Sequence, residues 1–224
     1  MSFAKSGLMP ALLENLQRLA YNEPTPVQQQ AIAPILAGKD ILAAAQTGTG
    51  KTAAFTLPAL QLLLTQGEKV TSNCVRALVL VPTRELAEQV HESIRMYLGD
   101  IPLRTAVAYG GVSINPQMMN LRRGVDVLVA TPGRLLDLYQ HNALRFNQMQ
   151  MLILDEADRM LDLGFAEELN ALFALMPRQR QTLLFSATFS GPIRTLAGQL
   201  LNDPVRVDVT PKHSAAETVK QHLI

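Results

Sequence analysis

The chain has 224 residues, 48% of them apolar and 17% charged, with 20 lysines and arginines against 19 carboxylates. That balance suits a globular protein large enough to bury its own core, and the single cysteine, Cys74, excludes both an internal disulfide and a cysteine zinc cluster. No apolar run approaches the roughly 20 residues of a membrane span, and Met1 to Pro10 lacks the apolar centre of a signal peptide. A cytoplasmic protein is expected, and the net charge of +1 decides nothing about nucleic acid.

In chain order, Leu12, Leu13, Leu16 and Leu19 share one helical face, and Val27, Ala31, Ile35 and Leu36 share another that ends at Gly38. Pro24 and Pro26 stiffen the connection between them. Strands are expected at residues 40–44, 77–81, 104–108, 125–130, 151–154, 182–185 and 205–209. Several are unbroken apolar runs, such as Leu78-Val79-Leu80-Val81, which marks strands buried on both faces of a parallel sheet. Helices are expected at 53–64, 83–98, 132–139, 166–175 and 192–201, lengths that suit right-handed crossovers. Gln66 to Asn73 is polar and expected to be a surface loop. His91, His141, His213 and His222 are scattered without metal-ligand spacing.

The octapeptide Ala45-Gln46-Thr47-Gly48-Thr49-Gly50-Lys51-Thr52 lies between the first expected strand and a helix. A strand, a glycine-rich turn and a helix make a phosphate-binding loop. Glycines let backbone N–H groups turn inward, and the helix N-terminus adds positive dipole character. Lys51 supplies charge for the outer phosphates and Thr52 a hydroxyl for Mg²⁺. Ala45 occupies the place where the pattern usually opens with glycine.

Asp155-Glu156-Ala157-Asp158 follows the run Met151–Leu154. Carboxylates at a strand's C-terminal end lie where open α/β sheets bind ligands. With the phosphate loop, Asp155 is the expected Mg²⁺ partner and Glu156 can polarise an attacking water. Ser186-Ala187-Thr188 ends another strand. Its hydroxyls suit contact with Asp158 or the γ-phosphate region, or an ordinary helix cap, and residue type does not choose between them. Pro82-Thr83-Arg84, Gly110-Gly111 and Thr131-Pro132-Gly133-Arg134 each follow a strand. Singly each is turn chemistry; together on one sheet edge they suit a phosphodiester backbone.

These motifs, in this order, resemble the first RecA-like domain of a DEAD-box RNA helicase, and within that family the chain is similar to the bacterial RhlE-type enzymes. The resemblance rests on Phe3, Tyr21–Gln28, Ala45–Thr52, Pro82–Ala87, Gly110-Gly111, Thr131–Arg134, the literal Asp155–Asp158 and Ser186–Thr188. An opening alanine at position 45 is common in this family. The resemblance implies a RecA-like P-loop NTPase fold, a mostly parallel sheet of about seven strands flanked by helices on both faces, working with ATP and Mg²⁺ on RNA. It implies that Gln28 reads adenine, with Thr25 supporting the loop, Phe3 and Tyr21 packing on the ring and Glu23 adding a backbone contact. It implies that Gln46, Thr47, Gly48, Thr49, Gly50, Lys51 and Thr52 hold the phosphates. Thr52 and Asp155 would serve the metal, partly through water, with Lys51, Asp155 and Glu156 catalytic. Ser186 and Thr188 would couple to Asp158, and Pro82, Thr83, Arg84, Gly110, Gly111, Thr131, Pro132, Gly133 and Arg134 would line the RNA path. Ala20 departs from the family's usual glycine.

Three segments are expected: a helical Q-motif segment at 1–38, a RecA-like ATP-binding domain at 39–210, and a linker at 211–224 leading towards a second RecA-like domain. One half of a helicase core is therefore expected, slow in hydrolysis and unable to unwind RNA alone. The competing readings are another P-loop ATPase motor acting on DNA and a nucleotide-dependent interaction module.

Overall fold

Seven short apolar runs become seven strands. They are β1 (Ile41–Ala44), β2 (Val75–Leu80), β3 (Thr105–Ala108), β4 (Val125–Ala130), β5 (Met151–Leu154), β6 (Gln181–Ser186) and β7 (Val205–Asp208). The computed structural model describes residues 2–46, 48–66 and 68–209. The strands form one sheet in the order β3-β4-β2-β5-β6-β1-β7, and every neighbouring pair is parallel. All seven strands expected from the sequence are present, with ends shifted by no more than two residues. The expected linker at 211–224 lies outside the described residues.

Parallel strands need crossovers, and these are helical. Among the described residues the helices are α1 (Pro10–Arg18), α2 (Pro26–Leu36), α3 (Lys51–Thr65), α4 (Arg84–Leu98), α5 (Ile114–Leu121), α6 (Pro132–Gln140), α7 (Ala157–Asp162), α8 (Ala166–Leu175) and α9 (Gly191–Leu200). A short 3₁₀ turn, Phe3–Lys5, precedes them. Sequence reasoning missed α5 and α7. Helix α5 buries only Gln117 and Leu121, so its apolar period is broken by a glutamine that donates to the Tyr109 carbonyl at 3.1 Å. Helix α7 is six residues long and opens within the acidic motif.

Alternate strand residues feed two cores. Ala43, Val79, Val129, Ile153 and Phe185 pack on one face with α1 to α4. Leu42, Leu80, Leu128, Leu152 and Leu184 pack on the other, with α5 to α9. The first core includes Leu12 and Leu16 of α1 and Val27, Ala31 and Ile35 of α2. Phe55 of α3 meets Phe185 of β6 at 5.3 Å between ring centres, beneath the phosphate loop's helix. Two buried acids fasten the N-terminal edge of the sheet. Asp40 accepts from the N–H groups of Thr182 and Asn202, both at 2.8 Å. Asp126 pairs with Arg76 at 3.0 Å and accepts from the Arg104 N–H at 2.8 Å.

Where α1 ends, Ala20 adopts a left-handed backbone with φ 59°. A side chain there costs roughly 1–2 kcal/mol, whereas glycine gives back part of that in chain entropy. This explains the glycine that Ala20 replaces. Ala20→Gly is expected to raise stability by about 0.5–1 kcal/mol, read as a higher urea midpoint; an unchanged or lower midpoint contradicts the strain argument.

Candidate active site

In a parallel sheet all strand C-termini lie along one edge, so every motif noted above emerges on the same side. The phosphate loop leaves β1, the acidic motif leaves β5 and Ser186–Thr188 leaves β6, which runs between them. The segments at 82–84, 131–134 and 110–111 leave β2, β4 and β3 on the other half of that edge.

The loop closes tightly on α2. Gly50 caps α3 in a left-handed conformation, φ 90°. A Cβ at Gly50 would come 2.5 Å from Gln28 Nε2 and 2.9 Å from Thr25 Oγ1, so only glycine fits. Gln28 is buried, and its amide is already engaged. Nε2 donates to the Gly50 carbonyl at 3.0 Å, and Oε1 accepts from the Thr25 N–H at 2.9 Å. One amide hydrogen and one lone pair remain for a base edge. Thr25 and Gln28 form the capping box of α2, and the buried Thr25 hydroxyl has no further hydrogen-bond partner among the described residues. Thr49 donates to the Gln46 carbonyl at 2.7 Å and shapes the turn; Gly48 and Gln46 are exposed, Thr52 is half-buried and Thr47 lies outside the described residues.

Lys51 opens α3 and reaches across to Asp155, with Nζ 3.3 Å from Oδ1. Both side chains are buried, and among the described residues the ammonium has no well-aligned hydrogen-bond acceptor beyond this contact. Burial pushes the Asp155 carboxyl above the usual carboxylate range, against the opposing pull of Lys51. Glu156 follows in a left-handed backbone, φ 53° and ψ 49°. A bulky residue held there stores roughly 1–3 kcal/mol of strain, and its carboxylate is held by Arg159 Nη1 at 3.2 Å.

Asp158 is wired to the end of β6. Its Oδ2 accepts from the N–H groups of Ala187 and Thr188, both at 3.1 Å, and from the Thr188 hydroxyl at 3.2 Å. Ser186 touches Asp158 only indirectly, because its buried hydroxyl donates to the Thr188 carbonyl at 2.9 Å. Within this segment Thr188 contacts Asp158 and Ser186 makes a local turn contact.

Other expected residues are placed differently from one another. Phe3 is buried in the first-face core, and Tyr21 meets Tyr97 of α4 edge-on at 5.9 Å. Neither lines the narrow cleft of about 70 Å³ that Pro24, Gln28 and Ile32 form with Ser2 and Lys5. Glu23 is exposed. Pro82, Thr131 and Pro132 are buried and set helix starts, while Thr83 caps α4 by accepting from the Leu86 N–H at 3.3 Å. Gly110 and Gly111 are exposed and Gly133 half-buried. Arg134 is engaged in part, with Nη2 donating to the Val112 carbonyl at 2.8 Å and Nε 3.5 Å from Asp137, while Nη1 is buried without a partner among the described residues. Arg84 is the exposed cation of this group, stacked 4.8 Å above the Tyr109 ring, whose hydroxyl bonds to Glu88. Sequence reasoning missed Arg159, Tyr109 and the Ala187 backbone. A period of three from Glu156 could have flagged Arg159; nothing in the sequence flagged Tyr109.

The sheet, the glycine loop and the buried Lys51–Asp155 contact define a RecA-like P-loop nucleotide-binding domain. The family model described as DEAD/DEAH box helicase matches residues 25–196, and the chain belongs to that family. It is 42% identical, over its whole length, to "DEAD-box ATP-dependent RNA helicase CshA" of Streptococcus pneumoniae, and covers 42% of that protein. It is 42% identical over 99% of its length to "DEAD-box ATP-dependent RNA helicase 52A" of Oryza sativa subsp. japonica, covering 39% of it. A crystal structure of a DEAD box protein from Methanococcus jannaschii superposes with a TM-score of 0.86 at 34% identity, over 94% of this chain and 56% of that one. The chain thus spans less than half the length of these curated relatives. These relatives come from organisms as distant as Streptococcus pneumoniae, Oryza sativa and Methanococcus jannaschii, so they establish the family and not one branch of it. No helix among the described residues is long and apolar enough to cross a membrane.

Proposed function

We propose that this chain is the ATP-binding half of an RNA helicase core, coupling nucleotide turnover to local duplex opening when a second RecA-like domain completes the cleft. The observation that carries this is the convergence of Lys51, Asp155 and the Asp158–Thr188 link on one sheet edge. It connects a phosphate site to the segment beyond β6. Family membership and the relatives' names support the reading.

Backbone N–H groups of residues 48–52 and the start of α3 would cradle the phosphates, as at other helix N-termini. Lys51 would exchange its contact with Asp155 for phosphate oxygens. The donors available to Mg²⁺ are the Asp155 carboxylate and the Thr52 hydroxyl. No cluster of three acidic, histidine or cysteine ligands occurs among the described residues. That sparse oxygen set fits an ion that keeps waters and takes phosphate oxygens as its remaining ligands. When bound, the metal neutralises charge that develops on the transferring phosphoryl group. Glu156, released from Arg159, would orient the attacking water. Arg84, with Thr83 and the N–H groups of Gly110 and Gly111, would meet an RNA backbone without reading its sequence. The completing arginine would come from the second domain, and such a residue contributes about 10³–10⁵ in rate.

Gln28 supplies the test for adenine. Its spare amide N–H and lone pair match a base that both donates and accepts. Gln28→Ala also removes the clamp on Gly50, so affinity for ATP and GTP should both fall. ATP should fall by a further factor of roughly 5–100, about two hydrogen bonds' worth, in a titration with fluorescent analogues. Equal weakening of the two nucleotides refutes adenine reading and leaves only the clamp.

A further inference from the structure

The charge of this chain balances overall but is unevenly placed. The loops that lead into the strands, on the edge opposite the candidate active site, carry Lys39, Lys69, Arg104, Arg122, Arg123, Arg145, Arg178 and Arg180 with side chains exposed or half-buried. The exposed acids in those same loops are Glu68, Asp100 and Asp203. The other acid there, Asp40, is buried and spent on the Thr182 and Asn202 N–H groups. None of the eight cations is ion-paired among the described residues. Arg104 donates to the carbonyls of Arg123 and Val70, which orders its guanidinium without cancelling its charge.

Four of these cations, Lys69, Arg104, Arg123 and Arg180, line a furrow, and the other four lie in the loops of the same rim. A hollow of about 700 Å³ is walled by Lys69, Arg104 and Arg123, with the Arg76–Asp126 pair also in its lining. It shares Glu68 and Arg76 with a second hollow, which in turn shares Met149 and Gln150 with a third that holds Arg180. The furrow therefore runs beneath β4, β2, β5 and β6, about 15–20 Å at the usual strand spacing. On the opposite edge, where the proposed RNA path lies, the exposed or half-buried cations are Arg84, Arg134 and, in the first turns of α7 and α9, Arg159 and Arg194; Arg134 is paired with Asp137 and Arg159 with Glu156. A polyanion drawn to this domain by charge meets the denser positive field on the far rim.

We infer that this basic rim is a second, sequence-independent nucleic-acid surface, which holds the phosphodiester backbone of RNA extending beyond the candidate active site. The inference rests on the reading of the chain as RNA-binding. A partner must present a line of evenly spaced negative charges to match cations strung along a furrow, and an RNA strand does so. Its binding is of the counterion-release kind, strong at low salt and lost as salt rises.

The test is anisotropy titration of the full 224-residue chain with a fluorescein-labelled uridine 20-mer at several KCl concentrations. The rim variant is Arg122→Ala/Arg123→Ala/Arg145→Ala. These side chains make no hydrogen bond or ion pair among the described residues; their hydrogen bonds are made by backbone groups alone, the carbonyls of Arg122 and Arg123 and the N–H groups of Arg122 and Arg145. A second variant, Arg84→Ala, probes the candidate active-site edge. The expected result is an affinity lowered about tenfold or more by the rim variant at low salt, with the slope of log K against log[KCl] reduced by roughly 2, near 0.7 per lost phosphate contact. Unchanged affinity and slope in the rim variant, with binding weakened by Arg84→Ala, overturns the rim and leaves the RNA reading standing. Absence of RNA binding by the unmodified chain overturns both. Displacement of the RNA by poly-glutamate at equal charge concentration overturns the choice of RNA in favour of an acidic protein segment.

Discussion

Replacing Lys51 with methionine should lower stability by about 3–5 kcal/mol at pH 8, whereas Lys51→Met/Asp155→Leu should be as stable as the parent or more stable by about 1–4 kcal/mol. The single variant leaves a buried carboxylate without its counter-ion; the double variant replaces the pair with apolar volume. Both should lose triphosphate affinity, so stability and function separate. The pH dependence follows from the Asp155 shift. Burial raises its folded-state value, and loss of the lysine removes the effect that opposed the rise. A carboxyl raised on folding contributes stability at low pH and loses it as pH climbs through the folded value. The deficit of Lys51→Met relative to the parent should therefore shrink between pH 8 and pH 5. Urea denaturation at the two pH values measures this. A deficit that is absent, or that grows on acidification, contradicts the account.

Glu156→Gln should reduce single-turnover ATP hydrolysis by about 10²–10⁴, the usual contribution of a positioned general base. Nucleotide affinity should hold, because Glu156 lies outside the phosphate loop. Stability should also hold. Glutamine has the same size, pays the same left-handed backbone strain and can still accept from Arg159. Loss of turnover with binding retained identifies an enzyme. Unaltered turnover, or turnover and binding lost together, removes Glu156 from the catalytic role and favours a nucleotide-dependent binding module.

Much of this molecule was legible because its strands are buried on both faces. Runs such as Met151–Leu154 have few alternatives, and seven of them separated by crossover lengths leave little but a parallel sheet. The motif positions followed from strand ends. Strand order was not legible, since apolar runs carry no record of which neighbour they pair with. The role of Gln28 was legible only in part. Its type suits adenine, but its clamp on Gly50 depends on α2 packing against α3, a long-range contact. Arg134 shows a second limit of residue type. An arginine in a loop motif suggests an anion, but its Nη2 and Nε are held by Val112 and Asp137, long-range and local contacts that residue type does not announce, and only Nη1 is without a partner among the described residues. The basic rim was invisible for a simpler reason. Its cations lie in separate loops, and the near-zero net charge averages them away.

The order of strands has one more consequence. Because β6 lies between β1 and β5, the phosphate loop and the acidic motif stand two strand spacings apart, roughly 10 Å. That span is a ruler made of backbone hydrogen bonds, and no side-chain replacement can shorten it. Lys51 is long enough to bridge the gap. The loops above β1 and β5 can therefore exchange residues and retune the chemistry while the distance between the two halves of the site stays fixed by the pleated sheet below.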